Sequence, residues 1–70
     1  ESIVNSTLKS LPPQTREVFM MSRFQNKSNK EIAESMNISV KSVEYHITKT
    51  LKVLRVALKD YLPIFFFLFI

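Results

Sequence analysis

From position 40 to position 62 the chain carries neither glycine nor proline. A stretch of that length spans roughly 35 Å if it is wholly helical. Within it Val43, Ile47, Leu51, Leu54, Leu58 and Tyr61 recur at steps of four, four, three, four and three. That is the period of one face of an α-helix. Lys41, Tyr45, Thr48, Lys52, Arg55 and Lys59 recur at steps of four, three, four, three and four, a second and largely cationic stripe on another side. One face of this helix is therefore built for a core and another for water or an anionic partner.

The rest of the 70 residues is cut into short pieces by Pro12-Pro13, the polar run from Gln25 to Asn29, the run from Asn37 to Ser39, and Pro63. Val4, Leu8 and Leu11 predict a short helix, or the end of one, over about 2–10. A second helix is expected over 13–24, because proline is tolerated in a first helical turn and Val18, Phe19, Met21 and Phe24 supply an apolar stripe. Ser28-Asn29-Lys30-Glu31 has the S-x-x-E form of a capping box, in which serine and glutamate each bond the other's backbone N–H. It opens a third helix that ends near Met36, where Asn37 suits the left-handed position that stops a helix. Ser39 is a good N-cap for the long fourth helix. The fold class is all-α, a bundle of three to four helices, with residues 1–62 as the folded unit and 63–70 as a hydrophobic tail.

Composition removes whole classes of chemistry. The chain has no glycine, so no phosphate-cradling G-x-x-x-x-G-K or G-x-G-x-x-G loop and no EF-hand loop can form. It has no cysteine, which excludes disulfides and thiolate zinc sites and suits a reducing cytosol. His46 is the only histidine and Asp60 the only aspartate, and no catalytic set is visible; no enzyme activity, metal or cofactor is expected. His46 lies beside the apolar stripe and reads as a packed or edge histidine, and Met20, Met21 and Met36 as core filler. A net charge of +4 favours nucleic acid or another anionic surface. The chain opens at Glu1 rather than Met, as expected of a piece of a longer protein, and no signal peptide is visible at its start.

Two helices joined by a short turn, 29–36 and 40 onward, form the core of a helix-turn-helix. Ala33 is small where the helices cross, and Ile38 and Val43 can pack beneath the crossing. The first turns of the second helix then address the major groove of DNA. Lys41 can donate to guanine or to phosphate, Ser42 can bond either way, and Tyr45 offers a hydroxyl to phosphate and a ring to a thymine methyl. Thr48 and Lys49 lie one turn further, toward the DNA backbone. Val40 serves packing or a base contact, and Glu44 an ion pair or a cytosine. Ser28, Asn29 and Lys30 stand at a helix N-terminus, which favours a phosphate, although Ser28 is a capping residue first.

Four blocks in order carry a family resemblance: Leu11-Pro12-Pro13-Gln14-Thr15-Arg16-Glu17-Val18-Phe19, Ser28-Asn29-Lys30-Glu31-Ile32-Ala33, Ile38-Ser39-Val40-Lys41-Ser42-Val43-Glu44, and Leu51-Lys52-Val53-Leu54-Arg55. Together, over about 11–62, they resemble region 4 of extracytoplasmic-function (ECF) RNA polymerase sigma factors, in the form seen in Bacteroidetes. The resemblance implies recognition of the upstream (−35) promoter element in transcription initiation. It also implies docking on the β-subunit flap of RNA polymerase, masking by an anti-sigma factor, and a cytoplasmic, nucleoid-associated protein. Carried onto this chain, the DNA-facing positions are Val40, Lys41, Ser42, Glu44, Tyr45, Thr48 and Lys49. Asn37 departs from the glycine common in such turns, and the Phe-rich tail is not part of the general pattern.

Two other readings compete. A LuxR-type output domain of a response regulator shares Arg16-Glu17-Val18 and Asn29-Lys30-Glu31-Ile32-Ala33, but such domains break after the recognition helix, whereas here the stripe runs on to Leu62. A protein-interaction or membrane-surface module would use the basic amphipathic helix and aromatic tail at an interface. The tail itself is too short to span a bilayer and is an aggregation hazard if exposed. It can pack on the flank of Val53, Val56 and Ala57, associate with another copy, or insert into a partner or membrane.

Overall fold

The computed structural model describes residues 3–59. Four helices follow in order: α1 (Ile3–Lys9), α2 (Pro13–Arg23), α3 (Asn29–Met36) and α4 (Val40–Ala57). All four were expected, and among the described residues there is no strand.

Each helix begins where its local chemistry allows. Pro12 is extended (φ −55°, ψ 146°), Pro13 takes the first turn of α2, and the Pro12 carbonyl accepts the first helical bond from Arg16 N–H at 3.0 Å. Both halves of the α3 capping box form: Glu31 N–H donates to Ser28 Oγ at 3.1 Å, and Ser28 N–H to Glu31 Oε1 at 2.8 Å. At α4, Ser42 N–H donates to Ser39 Oγ at 3.0 Å.

The helix ends show what a chain without glycine must do instead. Asn37 closes α3 in the left-handed region (φ 58°, ψ 46°), as its sequence position suggests. Asn26, which the sequence does not single out, is left-handed as well (φ 56°). Behind α2, Phe24 and Gln25 both return N–H bonds to the Met20 carbonyl, and Lys27 N–H reaches the Met21 carbonyl at 3.1 Å. Two asparagines thus take the positions that glycine usually fills.

Two expectations need correction. Helix α2 stops at Arg23, so Phe24 leaves the apolar stripe and is 64% exposed. Helix α4 stops at Ala57 rather than running through to 62: Leu58 sits at φ −105°, ψ 13°, outside the helix, with its side chain 2% exposed in the core. The chain turns there as Lys59 N–H reaches the Val56 carbonyl at 3.5 Å. Tyr61, Leu62 and the 63–70 tail lie outside the described residues.

Helix α4 is the spine against which the other three pack. Leu54 in its C-terminal half and Leu58 just past its end join Leu8, Leu11 and Phe19, with Val4, Met20, Leu51 and Val53 around them. Its N-terminal half joins Val43 to Val18, Ile32 and Ala33, flanked by Met21, Met36, Ile38 and Ile47. The methionines therefore fill the edges of the core, as expected.

Between these two stretches of α4 lies a polar joint. Thr15 and Thr50 are the buried polar residues among those described. Thr15 Oγ1 and His46 Nδ1 share a hydrogen bond of 3.0 Å, and the Thr50 hydroxyl donates to the His46 carbonyl at 2.8 Å. No buried side-chain nitrogen or oxygen among the described residues is left unpaired. His46 is thus a packed edge histidine, held by α2 on one side and by the Tyr45 ring edge at 5.5 Å.

A non-glycine residue in the left-handed region costs roughly 1–2 kcal/mol, least for asparagine. Asn37→Val is expected to lower unfolding stability by about that amount, while Asn37→Gly leaves it unchanged or raises it. Urea melts of the three proteins test this; equal midpoints for the valine and glycine variants would show that the turn does not depend on its left-handed residue.

Candidate nucleic-acid interface

The interface begins with how α3 is fixed to α4. Ile38 N–H donates to the Ala33 carbonyl at 3.0 Å, which locks the turn over 37–39. Ile38 is half-buried, and Ala33, only 7% exposed, lets Val43 approach beneath the crossing. This packing leaves the opposite side of α4 open. Lys41, Tyr45, Thr48, Lys52, Arg55 and Lys59 are all exposed, so the whole cationic stripe faces outward.

The first turn of α4 contains Lys41 and no acidic residue. A helix N-terminus carries partial positive charge and is normally complemented by Asp or Glu. A lysine added to it makes that end a place for an anion rather than a balanced cap. One turn on, Lys49 Nζ lies 5.9 Å from the centre of the Tyr45 ring, which lends the ammonium a preferred position over an aromatic face. Tyr45, Thr48, Lys49, Lys52 and Val53 line one shallow groove of about 310 Å³.

The candidate residues therefore do not form one cluster. Tyr45, Thr48 and Lys49 share the groove. Val40, 41% exposed, and Lys41 precede them on the same helix, with Glu44 exposed between. Ser42 is half-buried, and its hydroxyl accepts from Ser39 Oγ at 3.1 Å, so it belongs partly to the cap. Ser28, Asn29 and Lys30 stand at the head of α3 and contribute nothing to the groove lining. Lys52 and Val53 do line it, yet neither was singled out as a site residue; the cationic stripe, which includes Lys52, held the signal for the first.

The exposed side of α4 has the make-up of a binding surface. Among the described residues no group of three or more His, Asp or Glu side chains could hold a metal ion. What the surface offers is cationic side chains, hydroxyls and an aromatic ring on one rigid helix. The sequence matches the family model described as "Sigma-70, region 4" over residues 2–54. The chain belongs to the sigma-70 region 4 family. This region 4 domain is thus the DNA-binding part of a sigma factor, a non-catalytic class whose partners are DNA and RNA polymerase.

The family match decides against the LuxR-type alternative, and it adjusts the span of the resemblance: it takes in α1 and stops at Leu54, where 11–62 was expected. No curated protein and no solved structure matches the chain significantly. No helix among the described residues is long and apolar enough to cross a membrane.

The capping box at the head of α3 carries a pH dependence. Glu31 is held below the usual carboxylate range, first by the backbone N–H of Ser28, then by the Ser28 hydroxyl, with Lys27 adding a smaller pull. A depressed folded-state pKa gives stability that is present above the unfolded glutamate value and is lost as pH falls through the folded value. The region 4 domain should therefore lose stability on acidification below the ordinary glutamate range, and Glu31→Gln should remove that part of the loss. Thermal melts at descending pH check this; parallel curves for parent and variant would rule the contribution out.

Proposed function

We propose that this domain comes from an ECF-type sigma factor of the form seen in Bacteroidetes, that it reads the upstream (−35) promoter element through the first turns of α4, and that it docks on the β-subunit flap of RNA polymerase. The ECF and Bacteroidetes assignment is supported by the four sequence blocks quoted above. The reading of DNA through α4 is supported above all by the two-sided character of that helix: Val43 and Leu54 are sealed in the core, while Lys41, Tyr45, Thr48 and Lys52 face outward. In this reading Lys41, Ser42 and Tyr45 meet base edges and nearby phosphates, with Val40 and Glu44 beside them. Thr48 and Lys49 meet the backbone, and Ser28, Asn29 and Lys30 hold a further phosphate at the head of α3. Masking by an anti-sigma factor and a cytoplasmic, nucleoid-associated location belong to the same proposal.

Two lysines separate sequence reading from charge. Lys41→Ala should weaken binding to a preferred promoter fragment by about 1–3 kcal/mol and relax sequence preference. Lys49→Ala should weaken all sequences alike and reduce the slope of log affinity against log salt by about one unit. Fluorescence anisotropy across a salt series reads both; variants that bind like the parent at low salt would place the DNA-reading surface elsewhere.

The polymerase contact has its own test. A tagged full chain should capture the isolated β-flap in a pull-down, and competing promoter DNA should leave that capture intact. Failure to retain the flap, with DNA binding preserved, would remove the docking half of the proposal.

A further inference from the structure

A second groove adjoins the first and shares Lys52 and Val53 with it. It is lined by Thr7 of α1 and by Lys52, Val53, Val56 and Ala57 of α4, and it is a wide, open depression of about 580 Å³. Val56 is 68% exposed beside it, a large aliphatic side chain with no cover among the described residues. Apart from the Lys52 ammonium and the Thr7 hydroxyl, the side chains at its wall are hydrocarbon. Val56 and Ala57 also fall beyond the residues 2–54 that match the family, so this end of the groove is not part of the matched domain.

We propose that this groove is the seat of the chain's own segment 64–70, Ile-Phe-Phe-Phe-Leu-Phe-Ile. Three observations select this occupant. The first is chemistry: the segment has no polar or charged side chain, and four of the six phenylalanines of the chain lie in it. Such a run needs cover in water.

The second is reach. Helix α4 closes at Ala57 and Lys59 is the last described residue, so the groove stands beside the point where the chain leaves the described fold. From Ala57 back to Lys52 is about 7.5 Å along the helix axis at 1.5 Å per residue. Residues 60–63 alone can bridge up to about 13 Å when extended, so 64–70 can lie along the whole groove. The third is tethering. A short linker presents its segment to a neighbouring site at an effective concentration on the order of millimolar, so the groove is met before a second copy at ordinary concentrations. The seat shares Lys52 and Val53 with the groove beside Tyr45 and Lys49, and it includes none of the residues in the first turns of α4.

The experiment is done on the full chain. In isotope-edited NMR, ring protons of Phe65, Phe66, Phe67 and Phe69 should give cross-relaxation to methyls of Val53, Val56 and Ala57, and these signals should persist on dilution. Val56→Lys, at an exposed position, should abolish them while amide resonances of α2 and α3 stay in place. The proposal is overturned if the ring-to-methyl signals are absent. It is overturned equally if they arise only between labelled and unlabelled copies, which would make the segment an association device. Signals that appear only when anionic phospholipid vesicles are added would make a lipid surface the occupant instead. A full chain that stays oligomeric at micromolar concentration, with segment 64–70 in the interface, also overturns it.

Discussion

Val43 and Leu54 are shut off from solvent along one side of α4, as is Leu58 just past its end, and each of the other three helices packs against that helix. Burying a side chain of this size stabilises by about 1.5–3 kcal/mol. In a domain this small, total stability is of the same order as a handful of such terms. The apolar side of α4 is consequently not one contribution among many. Remove Leu54 and α1 loses its anchor with Phe19; remove Val43 and the crossing of α3 opens. The cationic side exists as a stable surface because the other side is committed.

The turns of this domain rest on asparagine. With no glycine available, Asn26 and Asn37 take the left-handed backbone that ends α2 and α3. Their short polar side chains tolerate that conformation better than most. The connection before α4 is further closed by Ser39 at the cap and by the Ile38 bond to Ala33. The angle between α3 and α4 is therefore set by short-range chemistry over six or seven residues, and the outward face of α4 inherits it.

Much of this was legible in the sequence, and the misses have physical causes. Helix α3 and the start of α4 could be read because their caps use local bonds written in adjacent residues, as with Ser28 and Glu31. The outward stripe could be read because helical period fixes which residues share a side. The end of α4 could not: periodicity places Leu58 on the apolar stripe whether or not its backbone is helical, and the structure keeps the burial while ending the helix. Phe24 misled for a related reason, since one residue beyond a helix end the period no longer applies. The pairing that satisfies buried Thr15 was invisible because its partner, His46, lies thirty-one residues away along the chain. The groove formed by Lys49, Lys52 and Val53 is a property of shape, and no spacing rule specifies shape.

The polar joint has a consequence for how the domain presents itself. The apolar stripe of α4 fixes which side of the helix faces the core, and within the width of that stripe apolar contacts leave some latitude in rotation about the axis. Each residue of an α-helix advances about 100° around that axis. A bond of 3.0 Å between Thr15 on α2 and His46 on α4 works like a key in a shaft: it admits one azimuth. Tyr45 is the next residue round from His46, so the bearing of the outward-facing side chains is tied to one oriented contact between α2 and α4.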